Sequence, residues 1–515
     1  MSEHRVATLS ELPQDQPIEV DAGTRKIVLV RQGDSVHALA ATCPHRGVPM
    51  SKGTVVGDRI VCGVHRAAFA LDSGELLSPP ACENLARYAV RIASDAVHVT
   101  VDEAVTEHPV PRMARRGDDP RHVVVVGGGA AGWRAAETLR REGFTGRVTV
   151  VGDEPVPPYD RTELSKGFLS RDGSAEPRWL RDAKVAEACG IERLQARATG
   201  LDPAARRVML DDGSVESLDY DSLIIACGCD ARRLHVPGTS LEGVHVLRSL
   251  QDAKALNADL ADAERVVVVG AGFVGLEAAS AFSDIDGLQV SVVMPDSAPM
   301  SGLFGEAFAE RLAREHREAG VELVTGASAV AFQGEQRVGS VLLDDGRTLQ
   351  ADLVLVAVGA VPRTDWLPFE SDEDGGITVD AQLRVPGAEN VFLAGDIARL
   401  PTPWGTVRIE HWRFAQETGE LAARNALGAG KGYEGTPFFW SMQQIGGSYT
   451  LTGHQAPDDE TLGSVHETDF ALAYRRDGRV TAVLAHGIDD DVTALVSSMA
   501  GVGPLAEETV QDALT

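Results

Sequence analysis

Residues 122–133, HVVVVGGGAAGW, and residues 265–277, RVVVVGAGFVGLE, repeat one pattern: a run of valines that reads as a buried parallel strand, followed at once by a glycine cluster that opens a helix. Each cluster has G-x-G-x-x-G spacing, with Gly127, Gly129 and Gly132 in the first and Gly270, Gly272 and Gly275 in the second. The first glycine makes a tight turn, the second lets backbone approach a pyrophosphate, and the third lets helix pack close on strand while the helix N-terminus faces the phosphates. Such a motif is weak alone, but here the repetition runs through whole units. A second apolar strand follows each time (RVTVVGD, LQVSVVM), then a D-D-G hairpin signal at Asp211–Gly213 and Asp344–Gly346. Each unit then closes on an apolar strand ending in glycine, at 222–228 and at 352–359, which puts Gly359 at the mouth of a crevice. Two dinucleotide-binding units are predicted. In the first, Asp153 ends the second strand with Glu154 beside it, where an acid binds ribose hydroxyls. In the second, that strand ends on Met294, Asp296 comes two residues late, and residues 294–310 hold no Lys or Arg for a 2′-phosphate, which leans toward NADH over NADPH.

N-terminal to the first unit, short β-prone runs (IVLV at 27–30, YAVRI at 88–92, VHVTV at 97–101) separated by Gly, Pro and Asp predict a small all-β domain over residues 1–107. Residues 108–120, HPVPRMARRGDDP, have no apolar period and read as a linker. Inside the β-rich region stand Cys43-Pro44-His45 and Cys62-Gly63-Val64-His65, two loops that each offer one thiolate and one imidazole. In a Rieske centre two cysteines hold one iron and two histidines the other. A closed zinc site uses the same ligand types, although zinc fingers order both cysteines before both histidines. Beyond residue 405 a helical stretch near 411–427 and a hairpin signal at Asp477-Gly478 predict a further α+β domain over 406–515.

The chain has 515 residues, 43% of them hydrophobic and 24% charged, which is enough to bury several cores and excludes wholesale disorder. Its 48 Lys and Arg against 76 Asp and Glu leave a net charge of −28, repelling phosphate backbones and anionic lipid, so neither nucleic acid nor membrane is an expected partner. MSEHRVATLSELPQDQP has no basic or apolar leader pattern, and the six cysteines are too sparse for a secreted disulfide framework; both readings point to the cytoplasm.

The metal loops, with Gly47, Phe69 and Gly74 at their offsets, resemble the Rieske-type ferredoxin family over roughly residues 4–107. Its second box usually reads Cys-Pro-x-His-Gly-Ser; here Arg66 and Ala67 follow His65, so no hydroxyl donor reaches the bridging sulfurs and a potential near the low end of the Rieske range, about −150 mV, is expected. The two glycine units, with PPYDRTELSKGFL at 157–169, LAGDIA at 393–398 and IEHW at 409–412, resemble the two-dinucleotide flavoproteins, specifically oxygenase-system ferredoxin reductases and apoptosis-inducing-factor-like proteins, over residues 121 to about 450. The resemblance implies FAD in a first unit made of 121–235 and 360–405, and NADH or NADPH in a second at 236–359. It also implies flavin contacts from Arg161 and Lys166, ribityl contact from Asp396 after Gly395, and Glu410 and Trp412 at the border of the flavin and nicotinamide rings. Lys166 and Glu277 would meet beside flavin N5, holding the nicotinamide face and the reduced ring's charge, or else form a structural bridge between domains. Thr162 and Glu163 replace two usual prolines. Residues 153–188 lack the cysteine pair of disulfide reductases, Cys227 and Cys229 read as ordinary buried thiols, and His411 as a packing residue.

The expected architecture is therefore an all-β Rieske domain, then an α/β double-Rossmann flavoprotein with an α+β C-terminal domain. The expected activity is passage of electrons from NAD(P)H through FAD to the fused cluster and on to an unidentified redox acceptor, such as an oxygenase, docked at an exposed histidine edge. The linker holds the cluster at an effective concentration of about millimolar. The alternative is an apoptosis-inducing-factor-like NADH oxidase or redox sensor.

Overall fold

Both valine runs lie inside parallel sheets of the computed structural model, which describes residues 1–513 apart from 212, 214, 444, 466, 467 and 488. The first sheet has the order Ile191–Gln195, Arg147–Gly152, His122–Val126, Ser222–Ile225, Ala388–Leu393, Arg384–Val385. Its first five strands are parallel and the last antiparallel. Strand Ala388–Leu393 comes from beyond the second unit, so the chain leaves the first sheet, builds the second, and returns to finish the first. The second sheet, Val244–Val246, Leu353–Val356, Arg265–Val269, Gln289–Val293, Glu322–Val324, is parallel throughout. Sterics explain the glycine spacing: a Cβ on Gly127, at φ +111°, would stand 2.1 Å from the Ala226 carbonyl oxygen, and one on Gly132 would stand 1.9 Å from that of Gly127.

An antiparallel three-stranded sheet is inserted in each unit. Residue 212 of the first D-D-G signal lies outside the described residues, but the strands on either side, Arg207–Asp211 and Ser217–Asp219, pair antiparallel. The second signal joins Val338–Leu343 to Thr348–Gln350. The N-terminal region consists of three small antiparallel sheets around a core of its own that includes Ile27, Leu29, Leu39, Met50 and Phe69. Residues 102–121 contain neither helix nor strand. Three arginines tie this region to the first unit by donating to its carbonyls: Arg141 to Leu76 at 2.8 Å, Arg181 to Cys82 at 2.7 Å and Arg134 to Ala81 at 3.3 Å.

The chain ends with helix Trp412–Ala426, which packs along helix Ala130–Arg141, and an antiparallel sheet in which Asp477 (φ 51°) and Gly478 (φ 73°) form the turn between Phe470–Arg476 and Arg479–His486. Positive φ at both central residues suits a type I′ hairpin. Among the described residues no helix is long and apolar enough to cross a membrane.

Candidate redox centre at the meeting of cluster loops and flavoprotein

The two metal loops fold as the same turn. The Cys43 N–H donates to Val48 O and the Cys62 N–H to Ala67 O, both at 2.8 Å, and each loop turns back through a residue of positive φ, Gly47 (69°) in one and Arg66 (62°) in the other. These turns bury all four candidate ligands: Cys43 and Cys62 are each 1% exposed, His45 5% and His65 2%. His45 Nδ1 and His65 Nδ1 face each other at 3.1 Å, and the two thiols are neighbours. The neighbouring Cys43 brings Cys62 down against the effect of burial, while Cys62 and burial push Cys43 up. Burial lowers both imidazoles, keeping them in the neutral form that binds metal. Two thiols on one side and two Nδ1 atoms on the other match a pair of irons. Among the described residues no three Cys, His, Asp or Glu side chains group so as to hold one metal ion, as a closed zinc site needs.

The histidine edge is not exposed, contrary to the expectation that an external acceptor docks there. Trp440 lies 4.5 Å from the His65 ring, Asp160 Oδ2 lies 3.6 Å from His45 Nε2, and Arg413 Nη1 donates to the carbonyls of His65 (3.0 Å) and Arg66 (2.9 Å). Arg178 reaches Pro44 O at 2.7 Å. The covering residues come from the 157–179 segment, helix Trp412–Ala426 and strand Phe438–Gln443. The departures from family pattern fall on this contact. Glu163, in place of a proline, accepts from Arg46 of the first cluster loop. Arg66, in place of a glycine, is 1% exposed, lies 5.4 Å over the Phe438 ring and donates to Thr493 of helix Asp489–Met499.

Arg66→Gly would relieve a left-handed backbone that costs roughly 1–2 kcal/mol for other residues, yet lose this clasp. The expected result is faster proteolytic cleavage within 102–121, releasing the N-terminal domain; equal resistance of variant and parent would show that Arg66 holds nothing.

Lys166 and Glu277 are brought together. Lys166 Nζ donates to Glu277 Oε2 at 2.9 Å and to Thr162 O at 2.7 Å, while Ser165 Oγ (2.6 Å) and Ser441 Oγ (2.9 Å) donate to the same carboxylate. Beyond the first glycine loop, Glu154 accepts from Tyr159 OH at 2.7 Å and from Arg161. The Arg161 and Tyr159 contacts hold it below the usual carboxylate range despite burial. Asp153 pairs with Arg363 at 3.1 Å. Asp396 pairs with Arg248 at 3.0 Å, and Arg408 bridges Asp396 O (2.9 Å) to Glu410 (2.7 Å). Gly395, at φ 72°, donates its N–H to Thr418, and Gly359, at φ 106°, accepts from the Arg232 N–H. The second loop, Gly270 to Gly275, repeats the first, a Cβ on Gly275 falling 2.1 Å from Gly270 O. Trp412 lies between the apolar cluster of Phe438 and Trp440 and the core of the first unit.

Sequence reasoning missed Asp160, Arg248, Arg413, Trp440 and Ser441. Asp160 lay inside the quoted 157–169 motif, and the aromatic run Phe438-Phe439-Trp440 before a serine was the available signal for the last two. Cys227 and Cys229 are pushed well up by burial and are poor nucleophiles.

His411 N-caps helix Trp412–Ala426 through Nδ1 and meets Trp440 edge to face at 4.6 Å. Burial, with Arg413 adding to it, brings its pKa down to about 3. Unfolded, it titrates near 6.5, so below that pH the unfolded chain binds more protons and stability is expected to drop as pH falls from about 6.5 toward 3. Melting temperature against pH, with a shallower slope in His411→Asn, checks this.

An arrangement of this kind serves electron transfer between a pyridine nucleotide and an iron-sulfur centre. Residues 121–419 match the pyridine nucleotide-disulphide oxidoreductase family and residues 2–89 the Rieske [2Fe-2S] domain. Human apoptosis-inducing factor 3 is 30% identical over 529 residues, 99% of this chain and 86% of that protein. The ferredoxin–NAD(+) reductase component of the Pseudomonas putida p-cumate 2,3-dioxygenase system is 36% identical over 64% of this chain and 80% of its own. The crystal structure of the ferredoxin reductase for the CYP199A2 system of Rhodopseudomonas palustris superposes with a TM-score of 0.66 at 30% identity, covering 71% of this chain and 91% of that one. The chain belongs to the pyridine nucleotide-disulphide oxidoreductase family and carries a Rieske domain ahead of its flavoprotein part. It is an oxidoreductase that uses NAD(P)H, FAD and a 2Fe-2S cluster.

Proposed function

We propose that the chain is a self-contained reductase and ferredoxin that takes electrons from NADH and hands them singly to an external acceptor such as an oxygenase component. Strand Phe438–Gln443 carries this reading, because it touches both redox sites: Trp440 packs on His65 at 4.5 Å and its neighbour Ser441 donates to Glu277 at 2.9 Å. FAD supplies the conversion of a hydride's electron pair into single electrons, which the cluster accepts. The residues around it bind, orient and seal. Gly127, Gly129 and Gly132 admit the flavin pyrophosphate, Asp153 or Glu154 its ribose, and Arg161, Asp396 and Glu410 the rest of the cofactor, while Gly270, Gly272 and Gly275 admit that of the nicotinamide. Lys166 and Glu277 hold the nicotinamide against the flavin, and Cys43, His45, Cys62 and His65 ligate the irons. Met294 is buried and Asp296 exposed at the end of strand Gln289–Val293, where a carboxylate would repel a 2′-phosphate; this supports NADH. With the histidine edge covered, an acceptor protein approaches the cluster domain from another face. The cytoplasm, where NADH is made and the thiols of Cys82, Cys189, Cys227 and Cys229 stay reduced, is the matching compartment.

A second reading, an oxidase or redox sensor in which the cluster tunes or regulates, is favoured by the same covered edge and by the similarity to apoptosis-inducing factor 3 over 99% of this chain. Anaerobic NADH titration separates the two. Flavin bleaching with prompt appearance of the reduced-Rieske electron-spin signal supports the proposal; slow cluster reduction, with rapid peroxide formation once air is admitted, supports the second reading.

A further inference from the structure

We propose that Asp160, in the flavoprotein's 157–169 loop, is a positioning residue for the cluster: its carboxylate faces the outward nitrogen of the ligand His45, and its charge there lets the docked flavoprotein lower the potential of its own iron-sulfur centre. The inference rests on the reading of Cys43, His45, Cys62 and His65 as ligands.

His45 and His65 face each other through Nδ1 at 3.1 Å, which makes Nδ1 the metal-facing atom and leaves Nε2 on the outside. A neutral imidazole that binds metal through one nitrogen carries its proton on the other, and that proton normally goes to a carboxylate, carbonyl or water. His45 Nε2 is buried and has no partner at hydrogen-bond distance, and the Asp160 Oδ2 atom stands 3.6 Å away. Asp160 is itself 2% exposed and is held in place from its own loop: Oδ1 accepts from the Thr162 N–H at 3.1 Å and the Thr162 hydroxyl at 2.7 Å. That leaves Oδ2 for the cluster side, where Arg46 donates to it at 2.8 Å beside His45. The clasp is doubled through the backbone, since the Asp160 N–H donates to Arg178 O at 2.8 Å and Arg178 donates to Pro44 O at 2.7 Å. His65 meets the Trp440 ring on its side, so the two histidines have different surroundings.

A carboxylate on the outer nitrogen makes the imidazole a stronger electron donor, and its charge repels an added electron in a buried site. Both effects disfavour reduction. One electron arrives, no proton moves, and His45 keeps its N–H. Arg46 offsets part of the carboxylate's charge, so its removal acts in the opposite direction to removal of Asp160.

The test uses the full-length protein with flavin and cluster in place. A potentiometric titration follows the reduced-Rieske electron-spin signal, and pulsed spin resonance reads the coupling of the remote histidine nitrogens. Asp160→Asn is expected to raise the reduced-to-oxidised ratio at fixed potential by about tenfold, about 59 mV for one electron, and to change the remote-nitrogen coupling of one histidine only. Arg46→Gln is expected to lower that ratio. An Asp160→Asn protein with unchanged potential and unchanged coupling overturns the proposal. If that variant does not assemble a cluster, an unchanged or raised ratio in Arg46→Gln overturns it instead. A parent protein with no Rieske signal at all would count against the ligand reading, not against Asp160.

Discussion

Cys62→Ala is expected to purify yellow, with flavin but without iron or acid-labile sulfide, and to pass electrons to one-electron acceptor proteins more than about 100-fold more slowly, the upper end of what loss of even an outer partner of a metal ligand costs. Cys62 is 1% exposed, and the N–H groups of Val64 and His65 beside its sulfur favour the thiolate that a metal ligand must be. Alanine removes that anion and leaves a pocket for two irons with one sulfur ligand. The nucleotide loops and the Lys166–Glu277 pair lie outside this pocket, so bleaching of the flavin by NADH should keep its rate. That separation makes the experiment decisive, because a misfolded variant would lose both halves. Iron and sulfide assays beside stopped-flow flavin reduction give the readout. A variant that still served a protein acceptor at the parent rate would mean that electrons leave from the flavin and that the cluster lies off the path.

The sequence made some of this legible because some of the physics is local. A run of valines followed by glycines at fixed spacing declares a strand, a turn and a helix within a dozen residues, and the clash a Cβ would make at Gly132 is with Gly127, five positions away. The mixed Cys-His loops are local in the same sense, since each turn is closed by its own backbone hydrogen bonds. What could not be read depends on packing between distant pieces. His45 meets a carboxylate on residue 160, His65 meets an indole on residue 440, and Arg66 reaches residue 493. Periodicity carries no information about such meetings, so the fused cluster was expected to keep an exposed histidine edge. The departures at Arg66 and Glu163 were visible, but a missing glycine or proline says only that the local backbone rule is relaxed. It took the tertiary contact to show that both positions gained a partner across the domain boundary.

The Lys166–Glu277 pair carries the other large effect. Glu277 is 7% exposed and receives Lys166, Ser165 and Ser441, from a flavin-side loop and from the C-terminal sheet, while standing itself on helix Phe273–Ser283 of the second unit. Removing one member of a buried pair leaves the other uncompensated, at a cost of about 3–5 kcal/mol. Whether that cost falls on stability or on hydride transfer separates a structural bridge from a group that serves the reaction. Lys166→Met keeps the length and apolar stem of the side chain and removes its charge. If the ammonium stabilises charge as the flavin is reduced, stopped-flow bleaching by NADH should slow by about 10²–10³-fold, the range seen when one preorganised electrostatic group is lost. Glu277→Gln keeps the shape but only one acceptor oxygen, so one of the two serine hydroxyls turns to accept from the new amide; this variant should slow the same step. The double variant should be little worse than the slower single one, because residues that act as a unit are not additive. Dithionite reduction of the cluster should remain intact in all three, since the ligand loops are untouched. A Lys166→Met protein that melts several degrees lower yet bleaches at the parent rate would assign the pair to holding the domains together.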